Sequence, residues 1–143
     1  MLILFSAENY RSIAEEQTLS MVASKQYDKE RSEERKAVRE KKLIRDRLPG
    51  LVNVSYLRTA AIYGSNASGK STLINAMGIM KRMVNRPAEL SSCVDLPYEP
   101  FRFNSDYVEK PTTFFVSFLW GGVRYEYEFS FNGEMIVSES LYS

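Results

Sequence analysis

Gly64-Ser65-Asn66-Ala67-Ser68-Gly69-Lys70-Ser71, followed by Thr72, satisfies the pattern G-x-x-x-x-G-K-[ST] at every fixed position. Glycines let a backbone turn tightly and approach a ligand with no Cβ in the way. Successive N–H groups of such a loop converge on phosphate oxygens, aided by the positive end of the following helix. A lysine placed like Lys70 reaches the β- and γ-phosphates, and a hydroxyl placed like Ser71 ligates Mg²⁺. Ordinary residue frequencies produce this pattern by chance in about one in 200 chains of this length. The expected ligand of the loop is therefore a phosphate chain with Mg²⁺.

The flanks supply the context that the pattern needs. Thr59-Ala60-Ala61-Ile62-Tyr63 is short and apolar and predicts a strand buried on both faces. Residues 70–85 predict a helix whose apolar face holds Leu73, Ala76, Met77, Met80 and Val84, with Pro87 closing it. Gly78 lies inside that helix at a cost of about 1 kcal/mol relative to Ala.

Further out, residues 2–8 predict a strand and residues 17–23 a second, with Leu19, Met21 and Ala23 on one face. The polar turn Asn9-Tyr10-Arg11-Ser12-Ile13 joins them as a hairpin. Residues 25–47 carry ten Lys/Arg against six Asp/Glu, a local charge of +4. They read as a solvated charged helix or insertion; contact with nucleic acid or an acidic partner is the alternative. Pro49-Gly50 ends that segment. Residues 88–112, with Pro97, Pro100 and Pro111, predict an irregular connection.

The last third predicts an antiparallel meander. Phe114, Val116, Phe118 and Trp120 share one parity, and Gly121-Gly122 makes a two-residue turn. Val123, Tyr125, Tyr127, Phe129 and Phe131 then alternate with polar residues. Asn132-Gly133 predicts a type I′ turn into a third strand from about Glu134 to Tyr142. The aromatic stripe reads as the core face of a sheet, with a base-stacking platform as the alternative.

Composition bounds the rest. A chain of 143 residues is long enough for one domain with a real core. With no His, a Ser-His-Asp triad, an HExxH zinc site and a histidine base are all excluded. The single cysteine, Cys93, excludes an internal disulfide or a multi-cysteine cluster and reads as an incidental thiol. A net charge of +1 gives no global pull toward nucleic acid or anionic lipid. No stretch approaches the ~18 apolar residues of a membrane span. Met1 to Phe5 lacks the basic flank of a signal peptide. A cytoplasmic protein with no membrane partner is the expectation.

Ala61 to Ala76 resembles the P-loop of the RecF/SMC-like branch of ABC-type ATPases, and Phe5 to Ile13 resembles the "xNFRSI" opening of that branch. Ile136 to Tyr142 is similar to a segment of one prokaryotic subgroup, the AAA-family ATP-binding proteins that include the ATPases of retron and Septu-type anti-phage systems. The resemblance implies an α/β fold with α+β elements: residues 1–143 as the N-terminal lobe of an ATPase head, with a charged insertion at 25–50, the loop unit at 59–86 and the antiparallel subdomain at 112–143. It implies Mg-ATP held by Gly64, Ser65, Asn66, Ala67, Ser68, Gly69, Lys70, Ser71 and Thr72, with Ser71 on the metal and Lys70 as the catalytic residue. Arg11 is carried over as a phosphate-side contact, against the plainer reading of a turn arginine. The implied partners are a second head, in a homodimer, and an effector protein.

Several family features are missing from the sequence. There is no Walker B run ending in paired acids, no Leu-Ser-Gly-Gly-type signature, no Gln after Thr72 and no switch histidine. The expectation is thus an N-terminal portion that binds nucleotide weakly and hydrolyses it negligibly by itself. A RecF-like DNA-repair ATPase and a non-hydrolysing, nucleotide-gated inhibitory module are the competing functions. A small GTPase is disfavoured, because the Asn-Lys-x-Asp guanine motif is absent.

Overall fold

A computed structural model describes residues 1–24, 55–85 and 96–143. The charged segment 25–50 and Cys93 lie outside the described residues. Among the described residues five strands form one antiparallel sheet: β1 (Leu2–Glu8), β2 (Gln17–Ser20), β3 (Thr112–Trp120), β4 (Val123–Phe131) and β5 (Ile136–Tyr142), in the order β2-β1-β3-β4-β5. Helix α1 (Lys70–Asn85) lies on one face, and a single turn, α2 (Ser105–Val108), precedes β3. The architecture is mixed α and β.

The core forms where alternating apolar residues of the sheet meet the helix. Phe5, Ala7, Phe114, Phe129 and Phe131 pack with Ala76, Met80 and Met83. Phe114 sits at the centre, fully buried, with the rings of Phe5, Tyr10, Phe129 and Phe131 5.5–6.2 Å away. A bulge in β1 lets two residues of β1 oppose one of β3, between the pairs Leu2↔Phe118 and Leu4↔Ser117. The extra residue resets the alternation. Leu2 packs toward the helix side with Phe5, while Ile3 joins Tyr56 and Leu119 in a smaller cluster.

Burial fades along the aromatic stripe. Phe114 is buried, Val116 and Phe118 are half-buried, and Trp120 is 73% exposed at the hairpin tip. The helix covers only one end of the sheet, so the stripe is core at Phe114 and open surface at Trp120.

The structure corrects four other expectations. Residues 59–63 form no strand: Thr59, Ala60 and Ala61 are exposed, and Tyr63 is 90% exposed. A strand needs a ladder partner, and none of the described strands runs beside this segment. On α1, Met83 takes the buried position expected of Val84, which is 48% exposed. The regular strand β2 stops at Ser20, after which Val22 makes an isolated bridge to Tyr56; Met21 and Ala23 still turn inward. The Asn132 turn is not type I′. It is a longer loop in which the Asn132 side chain accepts from the N–H groups of Glu134 and Met135, both at 2.9 Å. An amide that caps the turn removes the need for two positive φ angles. The Gly121-Gly122 turn does use them, at φ 60° and 81° between the paired Trp120 and Val123.

Candidate functional site

The loop begins at Gly64, where a Cβ would stand 2.7 Å from Ser68 Oγ. A side chain at this position would displace the Ser68 hydroxyl from the loop. Ala67 and Gly69 adopt positive φ, 62° and 86°, and the Ser68 N–H donates to Ser65 O at 3.3 Å. The helix ladder opens where the Leu73 N–H donates to Gly69 O at 3.1 Å. No acidic residue occupies the first turn of α1. The unpaired N–H groups and the helix dipole there favour an anion.

Lys70 folds over this loop. Its ammonium donates to Gly64 O at 2.8 Å, to Ser65 O at 2.5 Å and to Ser68 Oγ at 3.3 Å. One cation and the loop's own backbone are thus drawn to the same spot. The Ser71 side chain is exposed in the first helical turn. The donor set is one ammonium, hydroxyls and backbone N–H groups, with no helix carboxylate to repel an anion. It fits a phosphate with Mg²⁺, whose hard oxygen ligands would be the Ser71 hydroxyl, phosphate oxygens and water. Among the described residues no group of three or more His, Cys, Asp or Glu is placed to hold a metal by itself.

The N-terminal turn is docked against the loop. Ser12 Oγ lies 2.9 Å from Thr72 Oγ1, so Thr72, expected among the phosphate-binding residues, has its hydroxyl engaged with the turn. Arg11, at φ 51°, points elsewhere. Its guanidinium makes a two-pronged pair with the Glu99 carboxylate, both contacts at 2.8 Å, and its N–H donates to Glu99 O at 2.7 Å. The bond from Arg11 holds the Glu99 carboxyl below its ordinary pKa, and the same bond raises that of Arg11. Both side chains are substantially exposed, so the pair fixes geometry more than it adds stability.

Asn9 anchors this arrangement. It is buried at φ 50°; its amide donates to Tyr107 O and Lys110 O at 2.8 and 2.7 Å and accepts from the Phe101 N–H at 2.9 Å. Thr112 Oγ1 donates to the Asn9 carbonyl at 2.7 Å. Asn9 thereby ties the turn to residues 101–112. Ser12, Glu99 and Asn9 are absent from the expected site, because their partners lie 60 to 103 positions away in sequence. The only local signal is an Asn directly after a strand, where a positive φ is common.

Beside the loop lies a cavity of about 620 Å³, walled by Ser68, Gly69 and Lys70 and by residues of the turn and of the 101–107 segment. No helix of the described residues is long and apolar enough to cross a membrane.

Comparison with known proteins adds one finding. A family model described as "AAA domain, putative AbiEii toxin, Type IV TA system" matches residues 60–143, which include the whole loop, α1 and strands β3–β5. No curated protein and no solved structure matches. The match takes in more than half of the chain and starts just before Gly64, which leaves the turn carrying Arg11 outside it. The chain belongs to this family of AAA domains, which are P-loop ATPases.

Proposed function

We propose that this chain binds Mg-ATP through Gly64, Ser65, Asn66, Ala67, Ser68, Gly69, Lys70, Ser71 and Thr72. The observation that carries the reading is the closure of the loop around the Lys70 ammonium at the N-terminus of a helix with no acidic first turn. Lys70 neutralises phosphate charge, and the loop N–H groups orient the phosphates. Ser71 would hold Mg²⁺ through its hydroxyl, and the ion would supply further neutralisation of phosphate charge.

The finer reading is an ABC-type ATPase head of the RecF/SMC-like branch, in which residues 1–143 act as the N-terminal lobe. Its support is the resemblance at Phe5–Ile13 together with the contact of Ser12 with Thr72. On this reading Arg11 is a phosphate-side residue that would exchange Glu99 for the nucleotide. Hydrolysis is a transfer to water that needs a carboxylate to orient the attacking molecule, and the loop provides none. The whole protein is read as a cytoplasmic homodimer of heads, paired with an effector protein in prokaryotic anti-phage defence. The family description names a toxin of a type IV toxin–antitoxin system. A non-hydrolysing, nucleotide-gated inhibitory module and a RecF-like repair ATPase that contacts DNA through residues 25–47 are the competing readings.

A thermal-shift series with Mg-ATP and a phosphate-release assay test this reading. A ligand that binds only the folded state raises Tm with its concentration. A rise in Tm with negligible phosphate release is the expected pair of results. Rapid turnover abolished by Lys70→Ala would overturn the inactive-lobe reading, and no shift at millimolar Mg-ATP would overturn binding.

A further inference from the structure

We propose that β5 is an interface between two copies of this chain, its free edge pairing antiparallel with β5 of the second copy about a two-fold axis at Ser140. This interface stands apart from the loop and needs no nucleotide. β5 pairs with β4 on one side, and among the described residues no strand runs along its other side. That side presents a row of backbone N–H and C=O groups, which another strand satisfies. Edges that stay unpaired are kept so by being short or by carrying Lys or Pro. The opposite edge, β2, is of that kind: four residues, Gln17–Ser20, with Leu19 its one apolar side chain. β5 has seven residues with no Lys, Arg or Pro, and Val137, Leu141 and Tyr142 are 53–65% exposed.

The character of β5 selects its own copy as the occupant. Its single charged side chain, Glu139, is bonded to Tyr127 of β4 at 2.6 Å. The rest of the edge is neutral and suits a neutral, partly apolar strand, which β5 itself is. Directly opposite residues of an antiparallel pair share a face, so a two-fold pair sets residues of equal parity against each other. Centring the pair on Glu139 would oppose two carboxylates, which is destabilising. Centring it on Ser138 would run it into the irregularity that β5 has beside Ser130 and Phe131. Centring it on Ser140 opposes Ser140 to Ser140, Leu141 to Glu139 and Tyr142 to Ser138, with no like charges face to face. Because β2 is ill suited to pairing, the contact is isologous and closes as a dimer rather than a fibre.

Sedimentation of the chain without nucleotide tests the interface, and cross-linking reads its register. The wild type is expected to sediment at twice the mass of one chain in the micromolar range. Ser140→Lys sets two ammonium groups against each other on the axis. It is expected to sediment as a monomer with an unchanged far-ultraviolet circular dichroism spectrum. Cys93→Ser supplies a background with no other thiol. In it, Ser140→Cys brings the two Cα atoms to about 4.5–5.5 Å, within disulfide reach, and is expected to link the dimer under mild oxidation. Tyr142→Cys is the register control: its two copies stand about 13 Å apart along the strands and are expected to stay unlinked. A monomeric wild type, or a dimer that forms only with Mg-ATP, overturns the proposal. So does a Ser140→Lys dimer as tight as the wild type, or Tyr142→Cys linking as readily as Ser140→Cys. Each of these results leaves the phosphate loop standing.

Discussion

At Gly64 a single added methyl group would meet Ser68 Oγ at 2.7 Å, inside any real Cβ contact. Gly64→Ala must therefore turn the Ser68 hydroxyl aside, while the next contact, Ser68 Cβ at 3.5 Å, stays an ordinary one. ATP affinity should fall about two- to tenfold, the worth of one displaced hydroxyl contact, with little change in unfolding free energy, since the loop is exposed and outside the core; titration and denaturant melts on the same variant check both halves. Asn9 presents the opposite case. Asn9→Ala strips partners from the Phe101 N–H and from the Tyr107 and Lys110 carbonyls, and should cost about 2–3 kcal/mol in urea unfolding. Gly64, Gly69 and Lys70 are legible in the sequence because their spacing encodes their chemistry locally. Asn9, Ser12 and Glu99 are not, because each acts on a partner brought close only by the folded sheet.

Among the elements, α1 is legible because its 3.6-residue period matches one buried face, with Met83 in place of Val84 the one departure. Gly78 faces open space, and a methyl group added there would have nothing within 4 Å. Gly78→Ala should raise stability by about 0.5–1 kcal/mol in the same unfolding assay. The segment 59–63 misleads for a physical reason: an apolar run states that it can be buried, not which strand will pair with it. The turn at Asn132 misleads similarly, since Asn-Gly suits both a type I′ turn and a side-chain-capped loop.

At the edge of the sheet, Tyr127 Oη donates to Glu139 on β5 at 2.6 Å. Burial first, and then this bond, push the phenol from 10.0 up to about 12. The folded state holds the proton more tightly than the unfolded state. The contribution to stability is therefore complete below pH 10 and lost as pH rises toward 12. Ultraviolet titration should find a tyrosine ionising near pH 12. Tyr127→Phe should remove that step and flatten the alkaline loss of stability; an unchanged titration would contradict the pairing.

For the whole molecule, the antiparallel sheet acts as the frame on which loop and turn meet. Helix α1 packs on the sheet through Ala76, Met80 and Met83, which fixes the loop at its N-terminus. The β1–β2 connection carries Ser12 to Thr72, and the segment before β3 carries Phe101 to the cavity wall. The strands themselves are legible from period-two alternation. How the N-terminal turn docks is not, because docking depends on pairing β1 with β3 across more than a hundred residues.

The central claim is that this frame presents a working phosphate-binding loop whose charge comes from Lys70. Calorimetric titration of Mg-ATP into the wild-type chain and Lys70→Ala tests it most directly. The account predicts saturable one-site binding by the wild type and at least a tenfold loss in the variant, with both proteins melting alike. Equal affinity in the two proteins would contradict it.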